Sequence, residues 1–443
     1  MKASLAVAVA VSLPGSAGNY LAELQPDDIA WLSRVNERPV LDFPAQLRAA
    51  ADALPFVNEG REGLAAADAQ TRQTRSRLFP LLSVDVNSAD TLARNFQRQS
   101  TRFESLVPRQ RTDAIGSVTQ LLLDWGATSA RIRSYQAAAD SARARYELAR
   151  IDGMVALIAA WHETIAAKHA LDLTRNHAAR LNQLARLVAS RTDAGVESQA
   201  DRARAEVSAA HAEAQLAEAV RRTEVAAARL VELWGASPPT PARALPPPDD
   251  GSVVVRPDVR AAQAEAKARF ASARAARSDR LPRMELRVAG SAFDLTGTGR
   301  PDYDVRATLS LSTRFSLGGG DGARISELSA QARQADFAAK RLVAENAREL
   351  VEAEADLAAR EASLPAQRRA ALAAFQARHL FGVRFAAARG TLFDLLAAER
   401  DALESGLALA DAEIRLDVAR WLILARRGSL LVVVDGPGAG RPN

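Results

Sequence analysis

The alternation of apolar and polar side chains predicts four β-strands in two hairpins. Between residues 304 and 315 the residues on one face are apolar and the residues between them are polar or charged. The apolar ones are Val305, Ala307, Leu309, Leu311 and Phe315. A second alternating stretch at 284–292 pairs with the first across a glycine-rich turn. Earlier in the chain, Leu82, Val84 and Val86 alternate with polar residues, and a weaker pattern follows at 114–123. Alternation of this kind is typical of strands that separate two different solvents.

Helical periodicity dominates the rest of the chain. It predicts long helices at 52–78, 127–191 and 197–234 in the first half of the chain. In the second half it predicts helices at 258–281 and 323–388 and a last helix that includes Leu403 to Trp421. Apolar residues along 127–191 are spaced alternately three and four apart, as in a coiled coil. At about 1.5 Å per residue that helix would be roughly 98 Å long, which a compact domain does not need.

The two halves of the chain are repeats of one another. The sequence of Gly126, Ala130, Arg131 and Ile132 recurs 193 residues later, as Gly319, Ala323, Arg324 and Ile325. Proline-rich sequence between the halves predicts a stiff, extended linker. The predicted domains are a signal-like segment (1–18), an N-terminal segment (19–51), repeat 1 (52–236), the linker (237–255), repeat 2 (256–429) and a C-terminal tail (430–443).

Composition narrows the function classes. Hydrophobic residues make up 48% of the chain but aromatic residues only 5%, which favours closely packed Ala-rich helices. The chain has no cysteine, which excludes disulfides, cysteine-ligated metals and a lipid-anchored N-terminal cysteine. The net charge of +5 comes from interleaved charges of both signs, and we therefore expect no nucleic-acid partner.

The N-terminus resembles a short secretory signal. Lys2 precedes an apolar run at 3–13, and small residues follow as far as Gly18. An N-terminus that is merely rich in alanine is the alternative interpretation. No run of about 18 apolar residues follows, so we expect no transmembrane helix.

Four amphipathic strands are too few to close a barrel. About eight strands is the smallest number that closes, and open strand edges are not tolerated in lipid. Three copies would supply twelve strands, which is within the range of outer-membrane barrels. The predicted fold class is a mixed α+β membrane protein. It has a long α-helical coiled-coil barrel, four strands per chain that complete a 12-strand barrel in a trimer, and two internal repeats.

The chain resembles the TolC-like outer-membrane efflux and export family over residues 46–429. The resemblance is carried by segments 256–258 (RPD), 317–320 (LGGG), 195–201 (GVESQAD) and 389–396 (RGTLFDLL). It implies a homotrimer in outer-membrane lipid, with a helical tunnel in the periplasm, no catalytic residues and no cofactor. It also implies two partners, a periplasmic adaptor protein and an inner-membrane transporter of the RND or ABC type.

The turns at 193–198 and 389–391 are predicted to form the periplasmic ends of the tunnel. Ser198 with Asp201, and Thr391 with Asp394, have the spacing of a capping box at the start of a helix. The resemblance implies that Asp394 also narrows the periplasmic entrance. Ala397 stands where the family often has a second acidic residue, which weakens the expectation of a strong cation gate.

The same turns are the predicted docking sites for the adaptor. The resemblance assigns the contacts to Gly195, Val196, Gly390 and Leu392. Glycine in such turns also has a backbone role, which is the alternative explanation for both glycines. Ala388 matches Gly195 in the second repeat, so docking at the two turns need not be symmetric.

Other candidate sites have simpler explanations. His162, His169 and His177 are expected to be helix-surface residues and not metal ligands. Glycine-rich 318–322 lacks the Lys and Ser/Thr of a phosphate loop and is predicted to be a hinge between strand and helix.

Two questions about function stay open at the level of sequence. Within the class, the cargo is either small molecules or metals, or else a protein carried by type I secretion, which the lack of an anchor cysteine slightly favours. Outside the class, the alternative is a periplasmic coiled-coil structural protein without a pore, and the alternating strands argue against it.

Overall fold

The computed structural model describes residues 24–35, 42–93, 110–235, 238–246, 251, 253–295, 302–313 and 317–436. In chain order the helices are α1 (Pro26–Val35), α2 (Phe43–Ala53), α3 (Pro55–Ser76), α4 (Ala127–Asp193), α5 (Gln199–Trp234), α6 (Pro257–Ser278), α7 (Gly320–Ala386), α8 (Leu392–Arg427) and α9 (Leu430–Asp435). The strands are β1 (Leu81–Asp90), β2 (Gln110–Leu123), β3 (Arg283–Phe293) and β4 (Asp302–Ser312).

The same order of elements occurs twice, as the repeat predicts. Each half has a helix, a β-hairpin, a helix of 67 residues and a returning helix of 36 residues. The predicted helix bounds differ from the observed ones by a few residues. Pro257 begins α6, where its missing N–H is not needed by the helix. The predicted signal segment at 1–18 lies outside the described residues.

The four strands form one antiparallel sheet in the order β1-β2-β3-β4. Each strand pairs with the next, and the two hairpins join through β2 and β3, with Val118 opposite Val288. Most apolar residues of the four strands fall on one face, whereas Leu81, Ile115 and Leu121 lie on the other. The apolar face includes these exposed residues: Leu82, Val84, Val86, Val118, Val288, Val305, Leu309 and Leu311. The sheet therefore has an uncovered apolar face and two edge strands, β1 and β4.

The chain divides into two compact units, and each contains parts of both repeats. The first unit is Met1–Val57, Arg150–Val255 and Asn346–Asn443, and the second is Asn58–Ala149 and Arg256–Glu345. The second unit contains the sheet and alanine-rich helix packing, in which Ser134 and Ser141 donate to the carbonyl oxygens of Ala268 and Ala261 at 2.8 and 3.0 Å. Small side chains allow this close approach of helix backbones.

Aromatic rings form the centre of the first unit. Phe43 lies 5.0, 6.0 and 5.4 Å, between ring centroids, from Trp161, Trp234 and Trp421. Phe43 belongs to α2. Neither α2 nor α1 was predicted from the sequence. Both helices lie in the predicted N-terminal segment. Although the chain has few aromatic residues, it concentrates several of them at this one point.

The proline-rich linker is held against the helices of the first unit. Trp161 Nε1 donates to the carbonyl oxygen of Ala242 at 2.8 Å, and Trp421 Nε1 donates to that of Ala244 at 3.1 Å. Between these two anchors, Arg243 makes two hydrogen bonds to the carboxylate of Asp417, at 2.7 and 3.1 Å. Segment 238–246 of the linker is thus packed against these helices.

None of the helices in the described ranges combines the length and the apolar character that a membrane span requires.

Candidate functional site

Each long helix ends in the same backbone motif before the chain turns back. At the end of α4, Gly195 has a φ of +75°. Its N–H donates to the carbonyl of Thr192 at 2.9 Å, and the N–H of Val196 donates to that of Arg191 at 2.8 Å. This pair of bonds is the Schellman motif, which satisfies the last carbonyl groups of a helix. We refer to residues 193–198 as the first turn and residues 387–391 as the second turn.

The second turn repeats this motif with an alanine in the left-handed position. Ala388 has a φ of +55°. Its N–H donates to the carbonyl of Phe385 at 3.1 Å, and that of Arg389 donates to Arg384 at 2.9 Å. Left-handed backbone costs a residue with a Cβ about 1–2 kcal/mol, so the second turn is strained where the first is not.

Both returning helices begin with a two-way cap. The N–H of Asp201 donates to Ser198 Oγ at 3.0 Å, and this hydroxyl donates to Asp201 Oδ2 at 2.6 Å. The N–H of Asp394 donates to Thr391 Oγ1 at 3.1 Å, and Thr391 donates to Asp394 Oδ2 at 2.7 Å. Each aspartate therefore has a structural role, and each also places a negative charge at the positive end of a helix dipole.

The two caps differ in their charge balance. Arg204 Nη1 lies 3.6 Å from Asp201 Oδ1. The residue that matches Arg204 in the second repeat is Ala397, and within the described part of the chain no basic group forms an ion pair with Asp394. Asp394 is exposed, so its charge faces solvent. Ala397 thus stands where repeat 1 has Arg204, the cation near the cap, and also where the family often has a second acidic residue.

Arg191 connects the ends of the two long helices, α4 and α7. Its Nη1 and Nη2 atoms donate to the carbonyl oxygens of Phe385 and Ala386, each at 3.3 Å, and its guanidinium carbon lies 4.9 Å from the centre of the Phe385 ring. The last carbonyls of α7 are thus capped by a cation from the end of α4. No local sequence signal indicates this contact, because the partners are almost 200 residues apart.

The predicted docking residues differ in exposure. Val196 is 69% exposed, whereas Leu392 is only 4% exposed and packs with Val188 and Phe385 in an apolar cluster beneath the turns. The neighbouring Phe393, which was not among the predicted docking residues, is 65% exposed. A Cβ on Gly390 would lie 3.3 Å from Arg384 and Phe385, so a larger residue there would require these neighbours to shift by a few tenths of an ångström. Exposed apolar surface at the two turns therefore comes from Val196 and Phe393.

A cluster of charged groups lies below the turns. Glu399 Oε2 is 3.1 Å from Arg180 Nε and 3.5 Å from His177 Nδ1, and all three side chains are largely buried. Burial alone would raise the pKa of Glu399. The neighbouring His177, Arg180 and Arg378 outweigh that effect, and the pKa lies below its ordinary value of 4.5.

The prediction that the histidines of the long helix lie on its surface is wrong for two of them. His162 and His177 are buried. His162 Nδ1 lies 2.8 Å from the carbonyl oxygen of Ile158, and Nε2 lies 3.1 Å from that of Ala244, because the linker packs over this part of α4. Burial lowers the pKa of His162. Over the described ranges, no group of three His, Asp or Glu residues is arranged to hold a metal ion.

Part of the chain is similar in sequence to a family of outer-membrane proteins. Residues 50–236 match the family described as outer membrane efflux protein. Protein CyaE of Bordetella pertussis is 26% identical over 274 residues, and this match covers 58% of the present chain and 56% of CyaE. The chain thus spans only about half the length of this curated relative.

Solved structures show the same fold over most of the chain. The outer membrane protein VceC of Vibrio cholerae aligns with a TM-score of 0.74 at 18% identity, covering 87% of this chain and 96% of VceC. The CmeC outer membrane channel of Campylobacter jejuni aligns with a TM-score of 0.76 at 13% identity, covering 88% and 86%. At these identities the likeness establishes the fold.

The predicted fold class is confirmed by the chain's own elements and by these neighbours. The fold is that of outer-membrane channel proteins. The predicted resemblance is confirmed to this extent: residues 50–236 match the outer membrane efflux protein family, and most of the chain shares the fold of these channels. Both findings support the predicted location in the bacterial outer membrane, extending into the periplasm.

Proposed function

We propose that three copies of this chain form a duct through the outer membrane and that the duct is the exit channel of a tripartite export system. The observation that carries the proposal is the four-stranded sheet, with its continuous exposed apolar face and its two edge strands. Edge strands in lipid must be paired, and three such sheets joined edge to edge give twelve strands. The long helices would then line a tunnel in the periplasm.

The two turns support the assignment of the periplasmic entrance. They lie at the ends of the 67-residue helices, and Asp394 has no compensating cation within the described chain. Three copies of Asp394 near a common axis would raise the local concentration of cations at the entrance. The duct itself needs no catalytic group and no cofactor, because the energy for transport comes from elsewhere.

The proposed partners are a periplasmic adaptor protein and an inner-membrane transporter of the RND or ABC type. Docking is proposed at Gly195, Val196 and Gly390. Leu392, which was also predicted to dock, is buried and instead supports the second turn from beneath. Exposed Val196 and Phe393 are the side chains best placed for contact. The alternative within the class concerns cargo, namely protein secretion instead of efflux of small molecules.

Photo-cross-linking in native membranes tests this proposal. A photoreactive residue replaces Val196 or Phe393, and captured proteins are identified by mass spectrometry. A matched control places the same residue at Leu392, which is buried and should give little capture. Capture of an adaptor together with a proton-driven pump would establish an efflux duct, and capture with an ABC exporter would establish a secretion duct. Capture from Leu392 but not from the two exposed positions would contradict the docking assignment.

A further inference from the structure

Helix α1 buries two of its side chains, Asp28 and Trp31, against helices of both repeats. Trp31 is fully buried, and its Nε1 donates to the carbonyl oxygen of His169 on α4 at 3.2 Å. Its ring meets that of Phe375 on α7 edge-on, with centroids 5.9 Å apart. The same apolar cluster includes Leu173 of α4 and Leu403 of α8. One short helix thus contacts both repeats.

A buried ion pair fixes α1 to α7. Asp28 forms a hydrogen-bonded salt bridge with Arg378, and the two side chains are 4% and 1% exposed. The guanidinium of Arg378 also lies 5.3 Å from the Phe375 ring centre. Removal of one partner from such a pair leaves a charge buried without compensation, so separation of α1 from α7 is strongly opposed.

The ion pair also adjoins the charged cluster below the turns. Arg378 acts on Glu399 of α8, whose carboxylate contacts Arg180 and His177 of α4. Asp28 of α1 pairs with Arg378 of α7, and Glu399 of α8 pairs with Arg180 of α4. Two sets of largely buried charges therefore connect α1 to α7 and α8 to α4.

We propose that α1 is a clasp that holds α7 and α8 against α4 and so limits how far the periplasmic entrance opens. Helix α1 connects α4 and α7, because Trp31 bonds to α4 and Asp28 bonds to α7, so separation of α7 from α4 at this level strains one of the two bonds. The clasp resists opening because both bonds are buried. This inference concerns regulation of the proposed duct and rests on that function.

The test compares Asp28→Asn with Asp27→Asn in the full-length chain. Both substitutions remove one negative charge from the first turn of α1, but Asp27 is exposed and outside the ion pair. Single-channel recordings in planar lipid bilayers measure the ratio of open to closed dwell times. Asp28→Asn should raise this ratio at least about fivefold, the lower end of typical coupling between sites in proteins. Asp27→Asn should leave it unchanged.

A second variant covers the case in which Asp28→Asn does not assemble. Trp31→Phe keeps a buried ring but loses the hydrogen bond to His169, and it should raise the ratio in the same direction by a smaller factor. If Asp28→Asn and Trp31→Phe both assemble and both gate like Asp27→Asn, the clasp is refuted.

Hydrogen–deuterium exchange separates failure of the clasp from failure of the proposed function. If the wild-type chain forms no channels, the proposed duct fails, but the clasp still predicts faster amide exchange in the second turn of Asp28→Asn than of Asp27→Asn. Equal exchange in the two variants would overturn the clasp whatever the channel recordings show.

Discussion

Replacement of Arg243 by alanine tests whether the linker is an anchored part of the fold. Arg243 makes two hydrogen bonds to Asp417, whose side chain is 1% exposed. Among the described residues, the substitution leaves Arg420, at 3.6 Å, as the remaining cation paired with the buried carboxylate. Loss of one partner from a buried ion pair costs about 3–5 kcal/mol. Because Arg420 remains, we expect a value near the lower end, about 3 kcal/mol.

Thermal unfolding in detergent, followed by helical circular dichroism at one heating rate, measures this loss. A loss of about 3 kcal/mol corresponds to a fall in Tm of about 6–12 °C for a unit of this size. Arg243→Lys should lower the Tm less than Arg243→Ala, because lysine keeps the positive charge. Some fall in Tm should remain, because lysine cannot make both hydrogen bonds to Asp417. Arg229→Ala is the matched control, since its pair with Glu163 is 3.6 Å long, with side chains 57% and 53% exposed.

The control pair should contribute at most about 1 kcal/mol. If Arg243→Ala lowers the Tm no more than Arg229→Ala does, the linker is not anchored by this pair. The reasoning about burial at Asp417 would then be wrong.

Three further predictions follow from the turns and the charges beneath them. Ala388→Gly should raise stability and Gly195→Ala should lower it, each by up to about 1 kcal/mol after the opposing change in unfolded-chain entropy; Tm shifts of the same sign would contradict the assigned backbone. Asp394→Asn should reduce the preference of single channels for cations over anions without preventing assembly, and unchanged selectivity would leave Asp394 as a helix cap alone. The pKa of the Glu399 carboxyl is lowered in the folded chain, so ionised Glu399 stabilises the fold fully above pH 4.5 and loses this effect as the pH falls further. The Tm difference between wild type and Glu399→Gln should therefore shrink below pH 4.5. A Tm difference that stays constant would contradict the ionic role of Glu399.

Local signals in the sequence were sufficient for the helices and strands of the two repeats and for the caps, but not for α1, α2 or α9. Prolines and helical spacing predict the helices to within a few residues, and alternation predicts the strands. The bonds of Ser198 and Thr391 to residues three positions later depend only on local backbone geometry, which is why spacing alone could suggest them.

Contacts between distant segments could not be predicted in the same way. The burial of Leu392 depends on Val188 and Phe385 meeting it from two other helices, and the burial of His162 depends on the position of the linker. Helix α1 did have a local signal, since Pro26 followed by two aspartates is typical of a helix start. Its packing against α4 and α7 has no counterpart in local sequence.

The most direct test of the central claim is the conductance of the purified full-length chain in planar lipid bilayers. The account predicts discrete current steps of uniform size, because three sheets close into one barrel of fixed strand number. If the protein is helical and associates with the membrane but produces no current steps beyond those of a bilayer without protein, the proposed duct is contradicted.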